Sequence, residues 1–170
     1  MESNKILTKK VHKSKTLVAL TIVFLAILIL TDVFFLVQIL IGDVSYLFGI
    51  EFSLIVALSI IFSYVYAPMR ITFSENSLVL HRGIGKKQFH YSDIESIEVF
   101  NNKHIALRIC GIGGVFGFVG RYYVEGIGHY FSYVGDYSQA FYFQLKNGKK
   151  YLLSCEDRDF VVSWIKKHIE

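Results

Sequence analysis

Seven glycines fall within the nineteen residues 110–128, CGIGGVFGFVGRYYVEGIG, and Val, Ile, Phe and Tyr fill most of the gaps. A backbone this rich in glycine is able to wrap a phosphate, so nucleotide binding is the first chemistry to weigh. A Walker-type loop needs Lys-Ser or Lys-Thr behind its last glycine, and neither dipeptide follows any of these. The dinucleotide fingerprint fails as well: Phe116 occupies the third glycine position after Gly111 and Gly113, and no amphipathic helix follows. The recurrence of Gly114, Gly117 and Gly120 suits bends or positive φ in a segment that joins strands. Under that reading the aromatic residues, Phe116 and Phe118 among them, pack beneath the segment or meet a membrane. Phe116 and Phe118 are the candidate membrane contacts, and no nucleotide is expected.

Arg82, Lys86 and Lys87 bracket a Gly-Ile-Gly turn and form the candidate site for an anionic lipid headgroup. Each basic side chain beside an anionic leaflet contributes about 1 kcal/mol, so three give a weak, non-stereospecific attraction. The alternative is a solvated hairpin tip. Asp32 stands inside an apolar run, where a carboxylate costs a few kcal/mol and calls for a partner. Thr31, Gln38, Ser53, Ser59 and Ser63 are available to it, and three roles stay open: a polar contact between helices or protomers, an ion pathway, or a position near the membrane interface. The six histidines, His12, His81, His90, His104, His129 and His168, show no metal-ligand spacing, so no metal or other cofactor is expected. Cys110 and Cys155 are too few for a disulfide scaffold and are expected to be small buried apolar residues. No Gly-x-Ser-x-Gly elbow occurs, and no enzyme activity is expected.

The elements that must carry these residues divide the chain in two. Hydrophobic residues make up 53% of the 170 and charged residues only 19%, which is the balance of a membrane protein with a modest polar domain. Residues 17–41 carry only Thr21, Thr31, Asp32 and Gln38 as polar side chains, and a second apolar run extends over about 48–67. Both approach the roughly 20 residues that span a hydrocarbon core. They predict a transmembrane helical hairpin within residues 16–68. Residues 1–15 form a basic arm with five lysines against one glutamate, whereas the connection between the helices has Asp43 and Glu51 and no Lys or Arg. The positive-inside tendency then puts both termini in the cytoplasm and the connection outside. Residues 69–170 hold 13 basic and 10 acidic side chains, so the basic excess lies mainly in the arm beside the membrane, which argues against a strongly basic nucleic-acid-binding face.

Residues 69–170 read as short strands and one helix. The runs at 71–73, 78–82, 86–91 and 94–100, the alternation of Ile105, Leu107 and Ile109, and a hairpin about Asn147–Gly148 give the strand signals. The helix follows Ser154, its expected cap, with Phe160, Val161, Trp164, Ile165 and Ile169 as an apolar stripe. The fold class is therefore α+β: the two-helix hairpin, then a small β-barrel or sandwich of about seven strands closed by one C-terminal α-helix.

Several segments resemble the bacterial membrane-associated pleckstrin-homology (PH) domain proteins. They are GIGGVFGFVGRYY at 111–123, GHYFSYV at 128–134, FQLKNGKKYLLS at 143–154, YSDI at 91–94 and the helix carrying Phe160. The resemblance covers residues 70–169 and implies a PH-like meander in a membrane setting, with no catalytic residues to transfer. The expected role is a non-catalytic binding or scaffolding module at the inner leaflet of the plasma membrane. Its expected partners are the bilayer and a membrane protein or a second copy. The alternative is a subunit of a membrane complex joined through its transmembrane helices, with the PH-like domain as a cap.

Overall fold

Two long helices leave and re-enter a single β-sheet. The structure, a computed structural model, describes residues 7–42, 46–101 and 106–169. The expectations that involve residues 1–6 of the basic arm, Asp43, His104 and Ile105 lie outside them.

Helix α1 (Lys15–Ile41) starts where the Ser14 hydroxyl accepts the Leu17 N–H at 3.1 Å, satisfying one of the free donors of the first turn. It stops at Gly42, whose φ of 84° turns its N–H back to the Gln38 and Ile39 carbonyls. Helix α2 (Tyr46–Tyr66) runs back beside it. Mean hydropathies of 2.8 and 2.0 and lengths of 27 and 21 residues make both long and apolar enough to cross a membrane. Their apolar side chains stay exposed, Leu30 at 69% and Leu47 at 70%, as helices that meet lipid require.

Four strands make the first sheet: β1 (Leu7–Lys10), β2 (Pro68–Phe73), β3 (Ser77–Arg82) and β4 (Lys86–His90), in the order β1-β2-β3-β4 and antiparallel throughout. The pair β1–β2 is formed across the helices, with Leu7 opposite Phe73 and Lys10 opposite Arg70. Residues 7–10, read from sequence as part of a basic arm, are thus the edge strand of this sheet. The helical hairpin is an insertion between two neighbouring strands.

The second sheet holds β5 (Ile94–Val99), β6 (Leu107–Gly113), β7 (Phe118–Val124), β8 (Gly128–Val134), β9 (Ala140–Leu145) and β10 (Lys150–Ser154), in the order β5-β9-β10-β8-β7-β6. β10 lies parallel to β8, Tyr151 opposite Phe131, because the chain crosses over after β8 and returns through the β9–β10 hairpin. The sequence led to an expectation of a meander of about seven strands, as a barrel or a sandwich. The described residues hold ten strands in two sheets, which are not closed into a barrel.

The inner faces meet in one core built on Ile71, Phe73, Leu80, Phe89, Phe141, Phe143 and Leu153, each side chain of this size contributing about 1.5–3 kcal/mol when fully buried. Helix α3 (Arg158–Ile169) closes one end with Val161, Val162 and Ile165. Phe160, placed in that stripe by its spacing, is 51% exposed, and its neighbour Val162 is buried instead. Nor does Ser154 cap the helix: its hydroxyl is buried and accepts the Gly135 N–H at 2.9 Å. The first turn starts at Asp157, at φ 56°, whose carbonyl accepts the Val161 N–H. A second, smaller core lies on the other face of the six-stranded sheet around Phe100, Tyr122, Val124, Tyr130 and Leu152. Cys155 is buried as expected, but Cys110 is exposed because β6 is the outer strand of its sheet.

Candidate membrane-proximal site

Three loops of the β-domain bind the ends of the two apolar helices. The β3–β4 turn offers the Gly83 N–H to the Ala67 carbonyl at 2.9 Å and the Ile84 N–H to the Val65 carbonyl at 3.1 Å. A helix end leaves its last carbonyls without partners, and this turn supplies donors for that region. The approach is close enough to demand glycine, since a Cβ on Gly83 would lie 2.0 Å from the Tyr64 carbonyl oxygen. The turn is therefore seated against α2, and it leaves Ile84 61% exposed beside the helix end.

The glycine-rich segment is a hairpin, β6 and β7, whose tip reaches α1. Thr21 Oγ1 accepts the Phe116 N–H at 3.2 Å, and its one proton is shared between the Leu17 carbonyl at 2.8 Å and the Gly114 carbonyl at 3.1 Å. Gly111 and Gly120 face each other across the two strands at φ 134° and 142°, and a Cβ on either would strike the opposite backbone. Gly114 takes φ 94° at the turn, and Gly117 sits against the Pro68 ring. Glycine here serves close backbone approach. At the third point Gly135 accepts the Ser14 N–H at 3.1 Å, so the start of α1 is tied to the end of β8.

The residues singled out by sequence distribute as follows. Phe116 is half-buried at the docked tip, its ring 6.0 Å edge-on from Tyr64 of α2 and 5.7 Å from the Lys13 ammonium. Its φ of 57° is unusual for an aromatic residue and is held by the hydrogen bond to Thr21. Phe118 packs on Tyr137 at 5.0 Å, against the second core.

The basic triad divides between the two faces of the first sheet. Arg82 and Lys87 point to the inner face: Arg82 lies 5.3 Å over Tyr66, and Lys87 lies 4.3 Å over Tyr151 and 5.5 Å from Phe89 and Phe131. Lys87 also donates to the Tyr151 hydroxyl at 3.2 Å. Lys86 alone points outward, in register with His81. Beside it stand Arg70, opposite His81, and Lys10, opposite Arg70. His81 Nε2 and Thr72 Oγ1 share a hydrogen bond at 3.1 Å, and burial, then Arg70 and Lys86, pulls the His81 pKa below the ordinary value.

Within the helical hairpin Ser53 donates to Asp32 Oδ1 at 3.0 Å. Thr31, Ser59 and Ser63 give their hydroxyl protons to carbonyls four residues back on their own helices. Gly49 lets the helices approach here, since a Cβ at that position would fall 2.2 Å from Ile39. No group of three His, Cys, Asp or Glu side chains suited to a metal occurs among the described residues.

Sequence reasoning missed Thr21, Gly83, Ile84 and Gly135, because an isolated threonine or glycine carries no sign of what will approach it. The grouping of Arg70 and His81 with Lys10 depends on the long-range pair β1–β2.

The architecture defines a class: a β-sandwich with one closing helix, seated on a pair of apolar helices inserted into its own sheet. The bacterial PH-domain family model matches residues 69–169, and the chain belongs to that family. The match begins within β2, so β1 and both apolar helices lie outside it. Neither the curated proteins nor the solved structures yield a match.

Proposed function

We propose that this protein is a non-catalytic integral membrane module that displays its PH domain in a fixed orientation at the inner leaflet, as a binding or scaffolding surface. The observation that carries this reading is the insertion of the helical hairpin between β1 and β2, which ties both helix ends into one sheet. A domain hung on a flexible linker would search many orientations; this one is held through Gly83, Thr21 and Gly135. The lysine-rich N-terminal segment supports placing both termini in the cytoplasm. A reporter active only in the cytoplasm should work when fused after Glu170 and fail when inserted near Ser45. The reverse pattern would overturn the placement.

A second reading, a subunit of a membrane complex, is favoured by one observation. The Asp32–Ser53 pair opens on a lateral groove between the helices. A polar group from a neighbouring transmembrane helix would complete such a site. An Asp32→Leu variant that keeps the complex size of the wild type would remove this reading.

A further inference from the structure

The two sheets are unequal, four strands against six, and the core between them reaches Val119 at the start of β7 without covering the rest of that strand. Beyond it the inner face of the larger sheet is open. Tyr151, Phe131, Arg121 and Cys110 follow one another in register across β10, β8, β7 and β6, and His129, Tyr123 and Leu107 form the next row on the same face. A groove of about 550 Å³ lies along them, with Phe131 and Tyr151 as its floor and Arg121, His129 and Lys149 around it. No carboxylate among the described residues lines it, and neither Arg121 nor Lys149 is in an ion pair among them. Lys87 stands behind the floor and donates to the Tyr151 hydroxyl at 3.2 Å.

Few large apolar side chains of the β-domain are exposed among the described residues. Ile84 lies at the end of α2, and Phe160 lies beside the Lys9 ammonium. The others, Leu107 at 63%, Ile109 at 54% and Tyr123 at 40%, gather at the β6 side of the groove. Single exposed apolar residues are ordinary, whereas a group of them beside a pocket marks a surface that something covers. The groove also faces away from the helices. β6 ends and β7 begins at the tip bonded to Thr21, and β8 ends beside Gly135, which is bonded to Ser14. Leu107, Tyr123 and His129 stand at the opposite ends of these strands, up to about 20 Å away at roughly 3.3 Å per residue. Lipid of the leaflet that holds the helices is therefore out of reach. A second copy apposed through the same face would set Arg121 and Lys149 against themselves. Cations around an apolar floor complement a carboxylate carried next to an apolar group.

We propose that this groove docks an acidic peptide segment of a partner protein on the side of the membrane that carries the domain. An Asp or Glu side chain of that segment lies between Arg121 and Lys149, and the apolar side chain next to it packs on Ile109, Tyr123 and Leu107. The inference rests on the reading of the domain as a binding module displayed by its helices, and it names the class of partner. Lys150 takes no part, since its ammonium is given to the Ile127 carbonyl at 2.6 Å.

The test uses the full chain in phosphatidylcholine nanodiscs and a panel of fluorescent octapeptides that place Glu or Asp beside Leu, Phe or Tyr. Members of the panel should raise the anisotropy and shift the His129 imidazole signal in NMR, with an affinity that falls as salt rises. The same peptides with Gln or Lys in place of the acid should bind at least tenfold more weakly. An exposed ion pair is worth up to about fivefold in affinity, so Arg121→Gln combined with Lys149→Gln should weaken binding by up to about 25-fold. Tyr123→Ser should weaken it too, and Arg70→Gln, on the other sheet, should leave it unchanged. A panel that binds nowhere, equal binding of the Gln peptides, or wild-type affinity in the double variant would overturn the proposal. So would a His129 signal that moves only when phosphatidylglycerol enters the nanodisc, which would make the surface a lipid site. The reporter fusions at Ser45 and Glu170 read the placement of the domain separately, so peptides that fail to bind a correctly placed domain count against the groove alone.

Discussion

Gly83→Ala adds one methyl group where the β3–β4 turn meets α2. The new Cβ would lie 2.0 Å from the Tyr64 carbonyl oxygen and 2.9 Å from its carbon, both backbone atoms that cannot swing aside. Gly83 has no positive φ, so alanine carries no conformational penalty of its own at this position. Relieving the clash requires the turn to retreat by about 1 Å, which breaks the bonds from Gly83 to Ala67 and from Ile84 to Val65. Two hydrogen bonds at about 1 kcal/mol each, with residual overpacking, give a loss of about 2–4 kcal/mol. For a chain of this size that lowers the thermal midpoint by about 5–15 °C. The assay is thermal unfolding of the full chain in mild detergent, with hydrogen exchange at residues 83 and 84 as the local readout. Gly113→Ala is the control, because its methyl meets only the movable end of Arg108. If the domain swung freely below the helices, both variants would be neutral. A Gly83→Ala protein that melts with the wild type and keeps its exchange rates would refute the seating of this turn.

Asp32→Leu should insert into membranes at least as well as the wild type, since it removes a carboxylate that costs a few kcal/mol there, yet it deletes the acceptor of Ser53. Crosslinking between cysteines placed at Ile39 and Gly49 should fall in that variant, and an unchanged yield would show that the pair does not hold the helices. Burial pushes the Cys155 thiol from 9.0 up to about 12 and the Tyr91 hydroxyl from 10.0 up to about 12. The unfolded chain therefore loses these protons first as pH rises, so stability is full below about pH 9 and falls between about pH 9 and 12. Unfolding midpoints across that range should decline, and Cys155→Ala should remove the part that begins nearest pH 9. In the native protein a maleimide should modify the exposed Cys110 and reach Cys155 only on unfolding.

The apolar runs, the alternating strands from Ile71 to Val99 and the closing helix were legible because each is a local pattern repeated over many residues. What escaped the sequence depends on contacts between distant segments. Leu7–Lys10 looks like any short lysine-rich stretch until Phe73 and Arg70 are brought beside it. The parallel pairing of β10 with β8 is set by a crossover that leaves no periodic trace. Phe160 follows the helical spacing but sits at 51% exposure, 5.8 Å from the Lys9 ammonium, since the start of α3 at Asp157 turns that side outward. In the candidate site, the glycines announced bends in a strand-connecting segment and carried no sign of what that segment meets. Gly83 and Gly114 meet the two apolar helices, and only the structure supplies those partners.

The seating of the domain on its helices is the central claim, and one disulfide tests it directly. A Cβ built on Gly114 lies 3.7 Å from the Leu20 Cβ, within the roughly 3.5–4.5 Å separation of bridged cysteines. In a Cys110→Ser background, Leu20→Cys with Gly114→Cys should close when isolated membranes are treated with a mild oxidant, against the backbone strain of a cysteine at φ 94°. Leu20→Cys with Gly126→Cys should stay open, because Gly126 has nothing within 4 Å of its Cβ position. A Leu20–Gly114 pair that remains reduced while both thiols react freely with maleimide would mean that the hairpin tip does not rest on α1, and the account would fail.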